Sequence, residues 1–231
     1  MKILEKLWGG KLLRHELLAG PRSAPCVILF PTVMGVSNLE RGFAQRLVGE
    51  GYSAVVADLY GRRFEAAERE AAFAAMRALQ ADRGALRDLL VAQFEEVLGY
   101  DEIDPARVAA VGFCFGGQCA LDLARSGVQV TGIASFHGLF DPPGLPPQPI
   151  AAKVAAYHGW DDPLVPPQAV VALGKELTAA GCDWQIHAYG KVGHGFTNPG
   201  ATGAMPGIKY DEQAARRAWR SCDEFLRECF E

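Results

Sequence analysis

Residues 108–117, Val-Ala-Ala-Val-Gly-Phe-Cys-Phe-Gly-Gly, set a cysteine between an apolar run and a pair of glycines, which leaves the chain few ways to fold around it. Val108-Ala109-Ala110-Val111 reads as a buried strand, and a helix is expected to begin just past the cysteine. Gly112 and Gly116 relieve the crowding of so sharp a turn. Cys114 then stands on a strained strand-to-helix elbow. The unpaired N–H groups of the helix's first turn favour a thiolate there and can also hold an oxyanion. A cysteine taken alone is as readily a small buried hydrophobe, so the chemistry rests on what else the chain brings to that elbow.

Two later segments supply partners. Tyr157-His158-Gly159-Trp160-Asp161-Asp162-Pro163-Leu164-Val165-Pro166 follows an apolar strand and presents carboxylates in a loop, and His187-Ala188-Tyr189-Gly190-Lys191-Val192-Gly193-His194-Gly195-Phe196 leaves another strand through glycines and presents a histidine. His194 can take the proton of Cys114, or stand as an imidazolium beside its thiolate, while Asp162 or its neighbour Asp161 sets the tautomer. A tetrahedral intermediate also needs donors aimed at its oxygen. The Phe115 N–H follows the nucleophile, and the loop Pro31-Thr32-Val33-Met34-Gly35 leaves an early strand. Pro31 has no N–H, so Val33 is the expected second donor, with Thr32 as the alternative.

The rest of the chain alternates strands with helices. Apolar runs stand near 27–31, 53–60, 107–113, 130–136, 152–158 and 183–189. Helical patterns fill the region from Ser37 to Gly51 and the stretches near 67–80, 84–98, 115–125, 167–180 and 208–229. Ser37 followed three residues later by Glu40 is a capping box. Runs rather than strict alternations predict a mostly parallel sheet with helices on both faces, built as one α/β domain over 1–231. Leu12–Leu18 reads as an antiparallel edge strand or a short helix, and the Pro/Gly-rich stretch 141–149 as a connection within the domain.

A chain of 231 residues, 49% hydrophobic, can bury one substantial core. Its formal net charge of −4, with no basic block, gives no support for nucleic-acid or anionic-membrane binding. The first residues lack the apolar stretch of a signal peptide or a membrane span, so a cytoplasmic location is the expectation. Six cysteines at 26, 114, 119, 182, 222 and 229 show neither C-x-x-C nor zinc-ligand spacing. Most are expected to be reduced and buried, Cys222 and Cys229 packing into the core from a C-terminal helix, and only Cys114 has a reactive setting. No metal or dinucleotide motif is present, so no cofactor is expected.

These motifs together resemble the dienelactone hydrolase family, a cysteine-using branch of the α/β-hydrolases. The resemblance runs over nearly the whole chain and rests on Gly35, Asp58-Leu59-Tyr60-Gly61, the elbow 112–117, Asp162-Pro163-Leu164-Val165-Pro166 and Gly193-His194-Gly195-Phe196. It implies an α/β-hydrolase fold, a Cys114-His194-Asp162 triad, and hydrolysis of small activated esters or lactones. The D-P-x-V-P pattern favours Asp162 over Asp161. A thioesterase, or a catalytically weak protein that binds small ligands on the same scaffold, as monomer or homodimer, is the alternative.

The resemblance also exposes departures. Where the family carries a glutamate that controls the resting cysteine, this chain has Thr32, and Glu40 is the nearby carboxylate. Arg62 takes the place of an arginine that binds a substrate carboxylate, whereas a second such arginine is replaced by Asn198. Tyr60, Trp160, Phe196, Thr32 and Met34 are further expected substrate contacts, with Phe113 and Phe115 as possible pocket walls or core. His137 and His158 end strands at the same side and either line the pocket or serve the structure.

Overall fold

Eight strands form one sheet in the computed structural model, which describes residues 1–231. They are β1 (Lys2–Trp8), β2 (Lys11–Leu18), β3 (Cys26–Phe30), β4 (Ser53–Val56), β5 (Val108–Phe113), β6 (Gly132–Phe136), β7 (Lys153–Gly159) and β8 (Trp184–Tyr189). Their order is β1-β2-β4-β3-β5-β6-β7-β8, parallel from β4 to β8 and antiparallel only through β1 and β2. Helices α1 (Asn38–Gly49), α2 (Arg69–Gln80), α3 (Arg83–Leu98), α4 (Phe115–Arg125), α5 (Pro167–Ala179) and α6 (Glu212–Phe230) connect or follow the strands. The fold is a single α/β domain of the α/β-hydrolase type.

The central strands are apolar on both sides because both sides are covered. Ile28, Phe30 and Ala110 pack with Leu90 and Phe94 of α3, Leu121 of α4 and Leu173 of α5. The opposite side chains, Leu29, Val111, Phe113, Phe136 and Tyr157, pack with Phe43 of α1 and with Trp219 and Phe225 of α6. Phe113 lies between the Phe43 and Phe136 rings at centroid distances of 4.3 and 4.9 Å, so it belongs to the core. Cys222 is buried in the same layer and Cys229 packs against it. All six cysteines are free. The Pro/Gly-rich stretch is tied down at its start by Arg125, which donates to Glu176, Asp122 and the Phe140 carbonyl.

Three boundaries differ from the sequence expectation. β2 is a strand but not the edge, because Gly9 and Gly10, both with positive φ (53° and 78°), turn the chain back and β1 pairs outside it. The strand expected over 53–60 stops at Val56, since Asp58 accepts from the Tyr60 and Gly61 N–H groups and bends the chain away. The last helix starts at Glu212, with Asp211 capping Ala214 N–H, because Ile208–Lys209 (β10) pairs with Thr202–Met205 (β9) in a separate hairpin. No helix is long and apolar enough to cross a membrane.

Candidate active site

The parallel register brings the ends of β3, β5, β6 and β7 side by side, with Phe30 opposite Gly112, Phe113 opposite Phe136, and Phe136 opposite Tyr157. Cys114 follows β5 directly, caps α4, and holds φ 55° and ψ −117°, a conformation costly for a non-glycine residue. Its N–H donates to the Phe136 carbonyl at 3.0 Å, and its carbonyl accepts from Gly117 and Gln118, so sheet and helix both fix the elbow. A Cβ on Gly112 would lie 1.9 Å from the Gly116 oxygen, and one on Gly116 would lie 2.1 Å from the Phe30 oxygen. Only glycine permits this packing at either position.

Asp162 leaves β7 in a tight turn and is buried. One carboxylate oxygen accepts from the Leu164 N–H at 2.8 Å, and the other meets Nδ1 of His194 at 2.7 Å. Asp161 is exposed, and of the two aspartates it is Asp162 whose carboxylate meets His194. His194 is held on both sides by the β9–β10 hairpin, its N–H on the Gly207 carbonyl at 2.7 Å and its carbonyl on the Lys209 N–H at 3.1 Å. Nothing in the sequence reading foresaw that hairpin, although Pro206-Gly207 is a turn signal.

The remaining ring nitrogen of His194, Nε2, has no well-aligned partner at rest, but Cys114 is its dominant electrostatic neighbour. Burial works against charge on either group. For the thiol, the His194 charge and side chain, aided by the Phe115 N–H, outweigh burial and bring its pKa down. For the imidazole, burial is outweighed by Cys114 and Asp162, and its pKa rises. Both directions favour a thiolate–imidazolium pair near neutral pH.

Beside this pair lies His137, fully buried with φ 37°. Its Nε2 is 2.8 Å from the Thr197 hydroxyl, and its ring stands edge-on to His194 with centroids 5.1 Å apart. Burial and the neighbouring His194 charge keep His137 neutral, so it braces the histidine loop without competing for its proton. His158 is also buried, against Phe140, and likewise favours its neutral form through burial.

The other expected contacts divide. Phe115 N–H points at the Cys114 thiol, where an oxyanion donor belongs, while its ring is core. The Thr32 N–H is already taken by Glu40 at 3.1 Å, whereas the Val33 N–H has no protein acceptor, which separates the two candidates for the second donor. Met34 is half-buried beside the core, and Trp160 is exposed on the loop before Asp162. Phe196 does not line a pocket. It is wholly buried edge-on to His137 and Tyr189, because the chain turns inward after Gly195. The buried Tyr60 hydroxyl donates to the Val33 carbonyl at 3.2 Å, so it braces that loop instead of facing a ligand. Arg62 is exposed, closed on Glu68 at 2.5 Å and laid over the Phe64 ring.

Comparison with known proteins gives a consistent result. A profile of the dienelactone hydrolase family matches residues 15–230. A carboxymethylenebutenolidase of Pseudomonas putida is 27% identical over 196 residues, covering 78% of each chain. The solved structure of m3DLH superposes with a TM-score of 0.88 at 34% identity, covering 100% of this chain and 98% of that one. The dienelactone hydrolase-like promiscuous phosphotriesterase P91 from metagenomic libraries superposes with a TM-score of 0.86 at 30% identity, over the same shares.

Proposed function

The chain belongs to the dienelactone hydrolase family and is a carboxylic-ester hydrolase, and we propose that it cleaves small esters or lactones through an acyl-cysteine on Cys114. The observation that carries this reading is the Asp162–His194 contact of 2.7 Å beside a half-buried elbow thiol whose pKa is lowered. The Cys114 thiolate adds to the ester carbonyl, and the negative charge moves to the carbonyl oxygen, facing the Phe115 and Val33 N–H groups. Collapse of the intermediate breaks the bond to the leaving oxygen, which takes the proton of the His194 imidazolium. The neutral imidazole, oriented by Asp162, then removes a proton from water as the water attacks the acyl-cysteine. The acid product departs and the thiolate–imidazolium pair is restored.

Selectivity follows from what surrounds the triad. A substrate carboxylate at Arg62 competes with Glu68, which meets a single guanidinium nitrogen in an exposed, solvent-screened pair. Asn198 supplies no second positive charge. A substrate with at most one carboxylate fits these residues, in contrast to one held between two arginines.

A panel of matched oxygen esters, thioesters and lactones, with and without a carboxylate, tests the reading against wild type and Cys114→Ala. Sustained wild-type turnover of oxygen esters or lactones that disappears in the variant is the expected result. Saturable binding without turnover, unchanged in Cys114→Ser, would establish a ligand-binding protein instead, and a clear preference for thioesters would establish a thioesterase.

A further inference from the structure

We propose that Glu40 is a positioning residue for the oxyanion hole, a task separate from its capping of α1. Its carboxylate is fully buried and divided between two jobs. One oxygen, Oε2, accepts from the Ser37 N–H at 3.1 Å and the Ser37 hydroxyl at 2.5 Å, completing the capping box of α1. The other, Oε1, reaches out of the helix to accept from the Thr32 N–H at 3.1 Å and the Thr32 hydroxyl at 2.8 Å.

Thr32 opens the turn that presents Val33. The Gly35 N–H donates to the Thr32 carbonyl at 2.9 Å, closing a four-residue turn whose inner N–H groups are left free. The Val33 N–H shares a peptide plane with that Thr32 carbonyl, so fixing Thr32 fixes the direction of the donor. On the far side, Tyr60 holds the Val33 carbonyl at 3.2 Å. The Gly35 N–H and Tyr60 therefore hold the two peptides flanking Val33, and Glu40 anchors the residue before it through both the Thr32 N–H and the Thr32 hydroxyl. A donor aimed in advance stabilises the tetrahedral oxyanion without reorganising during the reaction.

This inference rests on the acyl-cysteine reading, and its test uses Glu40→Gln and Ser37→Ala. Glutamine is accepted at the third position of a capping box, but its single carbonyl cannot serve both Ser37 and Thr32, and its NH2 would face a donor. Glu40→Gln is expected to lower kcat about 10- to 100-fold with KM within about twofold, as fits partial misplacement of one oxyanion donor. Binding of a trifluoromethyl ketone, which forms a tetrahedral adduct with the thiolate, should weaken in proportion. Ser37→Ala removes the cap but leaves Oε1 on Thr32, so melting temperature should fall while kcat stays within about twofold of wild type.

Amide hydrogen exchange of the peptide spanning residues 31–36 reads the same geometry without turnover. It should quicken in Glu40→Gln and not in Ser37→Ala. Unchanged kcat and exchange in Glu40→Gln, or equal kcat losses in both variants, would reduce Glu40 to a helix cap. Ester turnover that survives Cys114→Ala would instead overturn the acyl-cysteine reading, and the exchange result would still decide whether Glu40 fixes the loop.

Discussion

His194→Ala is expected to lower kcat for ester hydrolysis by about 10^4- to 10^6-fold, the scale on which loss of the base disables comparable triads. The same variant should change how Cys114 titrates. In the wild type the imidazolium, aided by the Phe115 N–H, overcomes burial and draws the thiol below its ordinary pKa. Without the imidazolium, burial is opposed chiefly by that single N–H, and the thiol pKa moves up. Alkylation of Cys114 by iodoacetamide against pH measures this, because the thiolate is the reactive form. The wild-type rate should rise with pH through the depressed thiol pKa and level off, while the His194→Ala curve should be displaced to higher pH. The imidazolium side of the pair should lose its proton on approach to pH 10, since His194 is raised to about 10. Coincident alkylation curves would show that His194 does not govern the thiol.

Gly116→Ala should act on the fold as strongly as His194→Ala acts on the chemistry. The added methyl would stand 2.1 Å from the Phe30 oxygen and 2.5 Å from the Pro31 oxygen, both backbone atoms at the end of a central strand. Neither can rotate away, so α4 must move off β3 or the elbow must open. A loss of about 3 kcal/mol or more is expected, roughly 6–12 °C in melting temperature for a domain of this size, together with loss of activity. Gly42→Ala is the control. It lies in α1 with open space around it, and should be neutral or stabilising by about 0.5–1 kcal/mol. Thermal unfolding of both variants separates a steric requirement from a general preference for glycine.

The sequence disclosed those parts of this protein that are encoded locally. The elbow, the two loops bearing Asp162 and His194, and the Ser37–Glu40 box each occupy a few consecutive residues, and the apolar runs of the central strands announce burial on both faces. What stayed hidden depends on how side chains are turned once the elements fold together, even where the partners lie only six or eight residues apart. That Phe196 turns into the core while neighbouring His194 faces the thiol is decided by packing against His137 and Tyr189. The second role of Glu40 is invisible in the capping box, because its free oxygen finds Thr32 only once β3 and α1 are folded together. The hairpin that grips His194 consists of short, largely exposed strands with little apolar pattern. Arg62 has the place of a substrate-binding arginine in the sequence, but in the folded chain one of its guanidinium nitrogens is paired with Glu68 and its plane lies over the Phe64 ring.

The central claim is a covalent bond between the acyl group and Cys114, and rapid-quench mass spectrometry with a slowly deacylating p-nitrophenyl ester tests it most directly. A burst of nitrophenolate matched by the mass of one acyl group on the peptide containing Cys114, with both absent in Cys114→Ala, is the predicted result. Continued turnover in Cys114→Ala, with no acyl mass on that peptide in the wild type, would contradict it.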